Sequence, residues 1–261
     1  MRVLLERSAP ALIGILFLAA WEAAVRYWQV PPYVLPGPLR IAATLWTDGP
    51  SLFGSLLVTL RITAAALAAA ALLGGGLALL FARSRVLEAS LFPYAVALQV
   101  TPIVAIAPLI IIWVKDTFAA LLFCAWLAAF FPIVANTTTG LNSADRNLVE
   151  LFRLYGASPW QTLRLLRLPS ALPYFLAGLR ISGGLALIGA VVAEFVAGTG
   201  GAETGLAYRI LEAGYRLAIP RLFAALFLLS ATGIVIYLVL DVLSRRLLKN
   251  WHESATAAAE E

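Results

Sequence analysis

The chain has 261 residues, of which 62% are hydrophobic and only 13% charged, with a mean hydropathy of +0.90 and a formal net charge of +5. Soluble domains carry about 25% charged residues, so half that proportion leaves too little polar surface for a water-facing globule, and lipid is the solvent that suits it. A charge of this size would suggest nucleic acid for a soluble protein, but here the basic residues sit in short clusters between apolar runs, which is a topology pattern and excludes that partner.

A membrane-spanning helix needs about 20 mostly apolar residues, and six stretches qualify. The first covers about 9–28 and carries Glu22 and Arg26 near its end; without a small-residue cleavage site it is expected to be retained as a span. The Pro-rich segment at 29–51 follows, with Val30-Pro31-Pro32 and Leu35-Pro36-Gly37-Pro38, and is expected to begin as a rigid extended stretch. The second span covers 53–82, uncharged from Ile62 onward. The third covers 89–114, uncharged but interrupted by Pro93, Pro102 and Pro108. The fourth covers 117–140 and holds Cys124, the only cysteine, so no disulfide framework is possible within the chain. The fifth covers 172–197 and the sixth 221–245. All are too long and too evenly apolar for barrel strands, so the expected fold is an all-α membrane protein of about six spanning helices. Its expected organisation is a first span and outer segment at 1–50, a core at 51–250 and a polar tail at 251–261.

Charge orients the chain. Arg2 and Arg7, Arg83 and Arg85, the arginines at 146, 153, 164 and 167, and Arg245, Arg246 and Lys249 all fall on one side of a six-span topology. Basic residues favour the cytoplasm, so both termini are expected there. On the other side Arg26, Arg40, Lys115, Arg209, Arg216 and Arg221 are scattered and partly balanced by Asp48, Asp116, Glu203 and Glu212.

The inner loop at 141–171 is polar, basic and helix-compatible. Asp145 suits a helix start, Leu148, Leu151, Phe152 and Tyr155 recur at helical spacing, and Gly156 suits a helix end. Ser158 and Pro159 suit the cap and first position of a second helix, to which Leu163 and Leu166 give an apolar side. Leu168-Pro169 and Leu172-Pro173 are expected to break that second helix.

This loop reads Glu150-Leu151-Phe152-Arg153-Leu154-Tyr155-Gly156, then nine residues, then Leu166-Arg167-Leu168-Pro169. The pattern resembles the cytoplasmic loop of binding-protein-dependent ATP-binding cassette importer permeases: an acid and two small residues, three more, a glycine, nine more, then an aliphatic residue, any residue and Leu-Pro. Leu151 and Phe152 depart from the two small residues, and Leu166 replaces the usual isoleucine. The Leu-Pro-Ser-Ala-Leu-Pro run at 168–173, Gly-Leu-Arg-Ile at 178–181, Leu-Pro-Gly-Pro at 35–38 and Val-Val-Ala-Glu-Phe at 191–195 are similar to the branch that imports sulfonates, taurine, nitrate, bicarbonate or thiamine precursors. The resemblance spans about residues 10–250. It implies a type I importer permease fold and a permease dimer, most simply a homodimer. It also implies a cytoplasmic ATPase dimer that binds ATP and Mg, a solute-binding protein, and a multi-pass location in a bacterial inner membrane. The loop, with Pro159, Leu166 and Leu168 in it, would form a coupling helix gripped by the ATPase through Leu148, Glu150, Leu151, Phe152 and Tyr155, turned at Gly156 and joined to the pore through Pro169 and Pro173. An amphipathic helix on the lipid surface is the competing reading of the loop.

Polar groups inside spans are the other candidates. Gln99, Thr101 and Pro102 lie mid-way in the third span and either line a path or kink the helix; Asn136 lies late in the fourth. Glu194, late in the fifth span, either lines an access path or is a helix-end acid in the interfacial region. Arg180 lies 14 residues earlier, so it either reaches the inner interface or pairs with another helix. Asp241 is placed at the interface, and a short amphipathic stretch at 206–215 follows Gly200-Gly201. His252 is the sole histidine, which with one buried cysteine excludes His-based triads in the membrane and most metal clusters. No Gly-x-x-x-x-Gly-Lys-Ser/Thr phosphate loop occurs, so no ATPase site, catalytic group or cofactor is expected in this chain. An ATP-independent transporter or channel would need paired acids at mid-membrane or inverted repeats, and neither is evident; nor is the catalytic constellation of an intramembrane enzyme.

Overall fold

The computed structural model describes residues 2–198 and 204–249, all helix and connecting loop. Gly200, Gly201, Glu203, His252 and the tail at 251–261 lie outside the described residues. In chain order the helices are α1 (Arg2–Tyr27), α2 (Pro38–Thr47), α3 (Gly49–Arg83), α4 (Arg85–Val100), α5 (Ile103–Trp113), α6 (Thr117–Asn142), α7 (Arg146–Leu154), α8 (Pro159–Thr162), α9 (Leu168–Ala197), α10 (Leu206–Tyr215) and α11 (Ile219–Leu248), with a π-helical segment at Leu163–Arg167 between α8 and α9. Five stretches among the described residues are long and apolar enough to cross a membrane: Ala9–Tyr27, Gly49–Arg83, Thr117–Asn142, Pro159–Ala197 and Ile219–Leu248. They keep large apolar side chains at their surface, such as Ile13, Leu16 and Phe17 of α1, Leu72 of α3 and Phe227 of α11. That is the arrangement lipid allows and water penalises.

The third span expected from the sequence is not one straight helix. α4 and α5 are bent by 100° at their break. Thr101 takes φ −72° and ψ 122°, the extended conformation favoured for a residue before proline, and Pro102 has no N–H to continue the ladder. Pro93 and Pro108 lie inside the two helices, so position rather than number of prolines sets the break.

The described residues fall into two compact units, divided within α3 at Val58, at Gly198 and within α11 at Ser230. In the first unit Ile41, Leu52, Leu206, Ala224, Ala225 and Leu228 form a buried cluster edged by Trp21 and Phe223. The segment expected to begin as an extended stretch continues into the amphipathic helix α2, whose start explains the acid in the first span. Glu22 accepts a hydrogen bond from the backbone N–H of Leu39 (3.1 Å) and another from Arg26 (2.7 Å). A carboxylate is thereby set on the free N–H groups at a helix start, where it is stabilising. A Cβ at Gly37 would lie 2.6 Å from that carboxylate, so a side chain there would push the carboxylate aside. The basic residues scattered over the expected outer side are mostly paired. Arg209 and Arg216 each reach Glu212 at 3.0 Å, and Arg221 reaches Asp48 at 3.5 Å. The hydrogen bond from Arg209, reinforced by the charges of Arg216 and Arg221, holds the Glu212 carboxyl below the usual carboxylate range.

In the second unit α6 and α9 pack along a seam of small residues, with Gly178, Ser182, Ala186 and Gly189 of α9 all buried. These positions recur at helical spacing and form one stripe. The Ser182 hydroxyl donates across the seam to the Ala129 carbonyl at 2.6 Å. Such a bond between helices in lipid contributes roughly 0.6–2 kcal/mol. Phe81, Phe130 and Val134 fill a second cluster, and Ala78, Leu141, Leu163 and Ala171 a third. Arg180 pairs with another helix: it lies 3.1 Å from Asp241 of α11 and donates to Ser244 at 3.3 Å, while Asp241 also holds Arg245 at 2.7 Å. Asp241 is therefore a shared counter-ion tying α9 to α11.

Candidate functional site

The loop between α6 and α9 folds as its local chemistry dictates. Asp145 caps α7, its carboxylate accepting from the backbone N–H of Asn147 (2.7 Å) and Leu148 (3.4 Å). At the other end Gly156 takes φ +70°. Its N–H donates to the Arg153 carbonyl, and that of Ala157 to the Phe152 carbonyl at 2.9 Å, closing the last turn through a left-handed residue. Ser158 and Gln161 form a reciprocal capping box over α8, with Pro159 at its first turn.

Leu168-Pro169 and Leu172-Pro173 do not break the second helix as expected. The chain stays helical from Pro159 to Ala197. The π-helical segment makes this possible: the Leu168 N–H bonds five residues back to Leu163. The wider turn relieves the clash between a proline ring and the carbonyl four residues before it, and Pro169 then sits in the first turn of α9, where a missing N–H costs least. Leu163 and Leu166 are buried against the unit, while Leu168 faces outward.

α7 has no buried residue. Leu148 and Leu151 are 44% and 45% exposed, Tyr155 is 84% exposed, Glu150 is exposed and Phe152 is half-buried. Leu154, which sequence spacing alone did not single out, is 85% exposed. A nine-residue helix that is too short to be stable alone thus projects a ridge of apolar side chains, fixed at both ends by caps and joined through the turn at 155–158 to the helical stretch Pro159–Ala197. Two cavities flank it. One of about 890 Å³ lies among the end of α3, the start of α4, the end of α6 and α7. The other, of about 680 Å³, lies between α7 and α8. Trp160, also missed from the sequence, lines the second, with the Arg83 guanidinium 5.8 Å from the centre of its ring.

Residues 66–249, which contain this loop and the helices on either side of it, match the family described as the binding-protein-dependent transport system inner membrane component. The chain belongs to that family. Among these permeases it is similar to the formylaminopyrimidine transport permease protein ThiX of Halalkalibacterium halodurans, with 36% identity over 92% of this chain and 94% of the relative. It is also similar to the putative aliphatic sulfonates transport permease protein SsuC of Bacillus subtilis, with 32% identity over 93% of this chain and 87% of that one. Both fit the branch expected from the sequence. The fold matches a crystal structure of an amino acid ABC transporter with histidines, at a TM-score of 0.64 and 18% identity over 78% of this chain and 97% of that one. The type I permease fold is thus established, and with it a multi-pass protein of the inner membrane.

The structure disperses the polar residues of the permease's spans. Gln99 is exposed in the last turn of α4, and Thr101 and Pro102 form the bend, where the Thr101 hydroxyl donates back to the Ala97 carbonyl at 2.7 Å. Asn136 is half-buried and donates to the Pro132 carbonyl of its own helix at 2.8 Å. Glu194 lies near the end of α9, as a helix-end acid would, but it is buried to 3% exposure and accepts a 2.7 Å hydrogen bond from Thr59 of α3. Thr59 was not singled out from the sequence, although Ser55, Thr59 and Thr63 recur every four residues along α3 and all three are buried. These five positions do not line either cavity described above. The Thr59–Glu194 contact lies 24 residues, about 36 Å of helix, from Arg83 at the other end of α3.

Proposed function

We propose that this chain forms, with a second copy of itself, the translocation path of an ATP-driven importer, and that α7 is the element through which ATP hydrolysis drives it. The observation that carries this reading is the capped helix α7, its apolar ridge exposed at Leu148, Leu151, Leu154 and Tyr155 and its end joined by the short turn at Gly156 to the 39-residue helical stretch Pro159–Ala197. A lever needs a grip and a stiff shaft. The leucines supply a grip of the helix-in-groove kind, Gly156 the turn, and the unbroken helix the shaft. A separate cytoplasmic ATPase dimer, which binds ATP and Mg, would close on two such levers and shift the permease pair between inward- and outward-open states. A solute-binding protein would deliver the cargo from outside. The termini would face the cytoplasm, with the core at 51–250 in the inner membrane in contact with lipid.

Cargo is a small solute. Relatives of similar identity are named for formylaminopyrimidine and for aliphatic sulfonates, so the chemistry carried varies among them. Sulfonate, taurine, nitrate and thiamine-precursor transport are the candidate classes. Gln99, Thr101, Pro102, Asn136 and Glu194 are candidate path residues, with Glu194 favoured because a buried carboxyl is costly to keep without a role. Reconstitution tests the reading. Proteoliposomes containing this chain, its co-expressed ATPase and its binding protein should accumulate solute only when ATP and Mg are supplied to the ATPase side. Uptake at an unchanged rate without ATP, or without the ATPase, would refute it.

A further inference from the structure

The 890 Å³ cavity beside α7 is lined by four arginines, Arg85, Arg146, Arg153 and Arg167, and by two acids, Glu88 and Glu150. Among the described residues none of the four guanidiniums is in an ion pair, and the one hydrogen bond of the group is a long one, 3.4 Å from Arg167 to the Ala82 carbonyl. Elsewhere in this chain arginines near an acid find it: Arg26, Arg180, Arg209, Arg216, Arg221 and Arg245 all do. Four unpaired cations from three separate segments around one cavity, against two acids, leave an excess of positive charge that favours an anion.

The level of the cavity narrows the ligand. The uncharged stretch of α3 ends at Ala82, and Ala82 and Phe81 line the cavity with the arginines. Polar and apolar walls therefore meet where the spanning part of α3 stops. Trp160 and Arg83 sit alongside in the neighbouring cavity, the aromatic-and-basic pairing typical of the headgroup layer. A soluble anion would need only the arginines; an amphiphile with an anionic head would use the apolar wall as well. We propose that this cavity holds the phosphate of an anionic phospholipid headgroup, gripped by Arg85, Arg146, Arg153 and Arg167. A lipid there would touch α7 directly and tie the conformation of that helix to membrane composition. The inference concerns the cavity alone and stands whether or not α7 couples to an ATPase.

Native mass spectrometry of the full-length chain in detergent tests it, with phosphatidylglycerol and phosphatidylcholine of the same acyl chains as probes. The unaltered chain should retain phosphatidylglycerol in preference. Arg146→Gln with Arg153→Gln should weaken that retention on the order of tenfold or more; both side chains are exposed and bond to nothing among the described residues, so the fold should persist. Arg246→Gln with Lys249→Gln removes the same charge outside the cavity and should leave retention unchanged. Inorganic phosphate or glycerol phosphate added in millimolar excess should not displace the lipid. Displacement with the same arginine dependence would uphold the phosphate site and transfer its ligand from lipid to a soluble anion. Equal weakening by both double variants, or no preference for phosphatidylglycerol, would overturn the site. So would loss of ATPase binding in the Arg146/Arg153 variant with lipid retention intact, which would assign the arginines to carboxylates of a protein partner.

Discussion

Gly156→Val is expected to lower ATP-coupled uptake about tenfold while membrane insertion and yield stay unchanged. The reason is backbone conformation and not space. Gly156 takes φ +70°, and a Cβ built there meets nothing within 4 Å. A left-handed conformation costs a side chain-bearing residue roughly 1–2 kcal/mol, and a β-branched residue is worse placed still. A penalty of about 1–2 kcal/mol lowers the population of the observed turn by a factor of about 5–30. The turn sets the angle between α7 and the shaft, so the ATPase would still grip the helix but the displacement would be lost. Asparagine tolerates the left-handed region, so Gly156→Asn should keep most of the uptake and Gly156→Ala should fall between. If the three variants transported equally, the turn would have no part in coupling; if asparagine failed as badly as valine, the cause would not be φ.

The second large effect is expected in the seam between α6 and α9. A Cβ at Gly178 would sit 2.9 Å from the Pro132 carbonyl oxygen, and one at Gly189 would sit 2.8 Å from the Ala125 Cα. Both obstacles are backbone, which cannot rotate aside, so alanine at either position forces the helices apart. Overpacking of this kind costs about 1–3 kcal/mol, and a leucine should prevent assembly altogether. Gly184 lies on the same helix, but a Cβ there meets nothing within 4 Å. Gly184→Ala should therefore be neutral, or stabilise by up to ~1 kcal/mol through helix propensity. Thermal unfolding of the purified chain in detergent separates the cases. A Gly184→Ala melting temperature as depressed as that of Gly178→Ala would show that the loss comes from glycine content and not from the seam.

The same three glycines show how far sequence reaches. Glycines in a span permit close helix approach, and at Gly178 and Gly189 that approach is made. Which glycines face a neighbour and which face open space depends on the partner helix, and so could not be read. The loop was more legible, because its signals are local. An acid at the first turn, a glycine at the end and Ser-Pro before the next helix act through bonds two to five residues long. The failures share a cause too. Prolines at 169 and 173 were expected to break a helix, but a π-turn accommodates Pro169 and Pro173 lies inside α9. Three prolines in the third span looked alike in sequence, yet only Pro102 bends the chain. Glu22 looked like a defect in a span until Leu39, 17 residues on, supplied its N–H. Glu194 likewise gained its Thr59 contact across 135 residues. Which group lies across such a separation cannot be read from spacing along the chain.

The account rests most heavily on α7 being held from the cytoplasmic side, and a single cysteine can test this. Cys124, the chain's only cysteine, is fully buried, so Tyr155→Cys adds one reactive site on the exposed end of the helix. A membrane-impermeant maleimide should label that site in inside-out vesicles and not in intact cells stripped of their outer membrane, and a bound ATPase subunit should protect it. Labelling from the outer side, or equal labelling with and without the ATPase, would contradict the account.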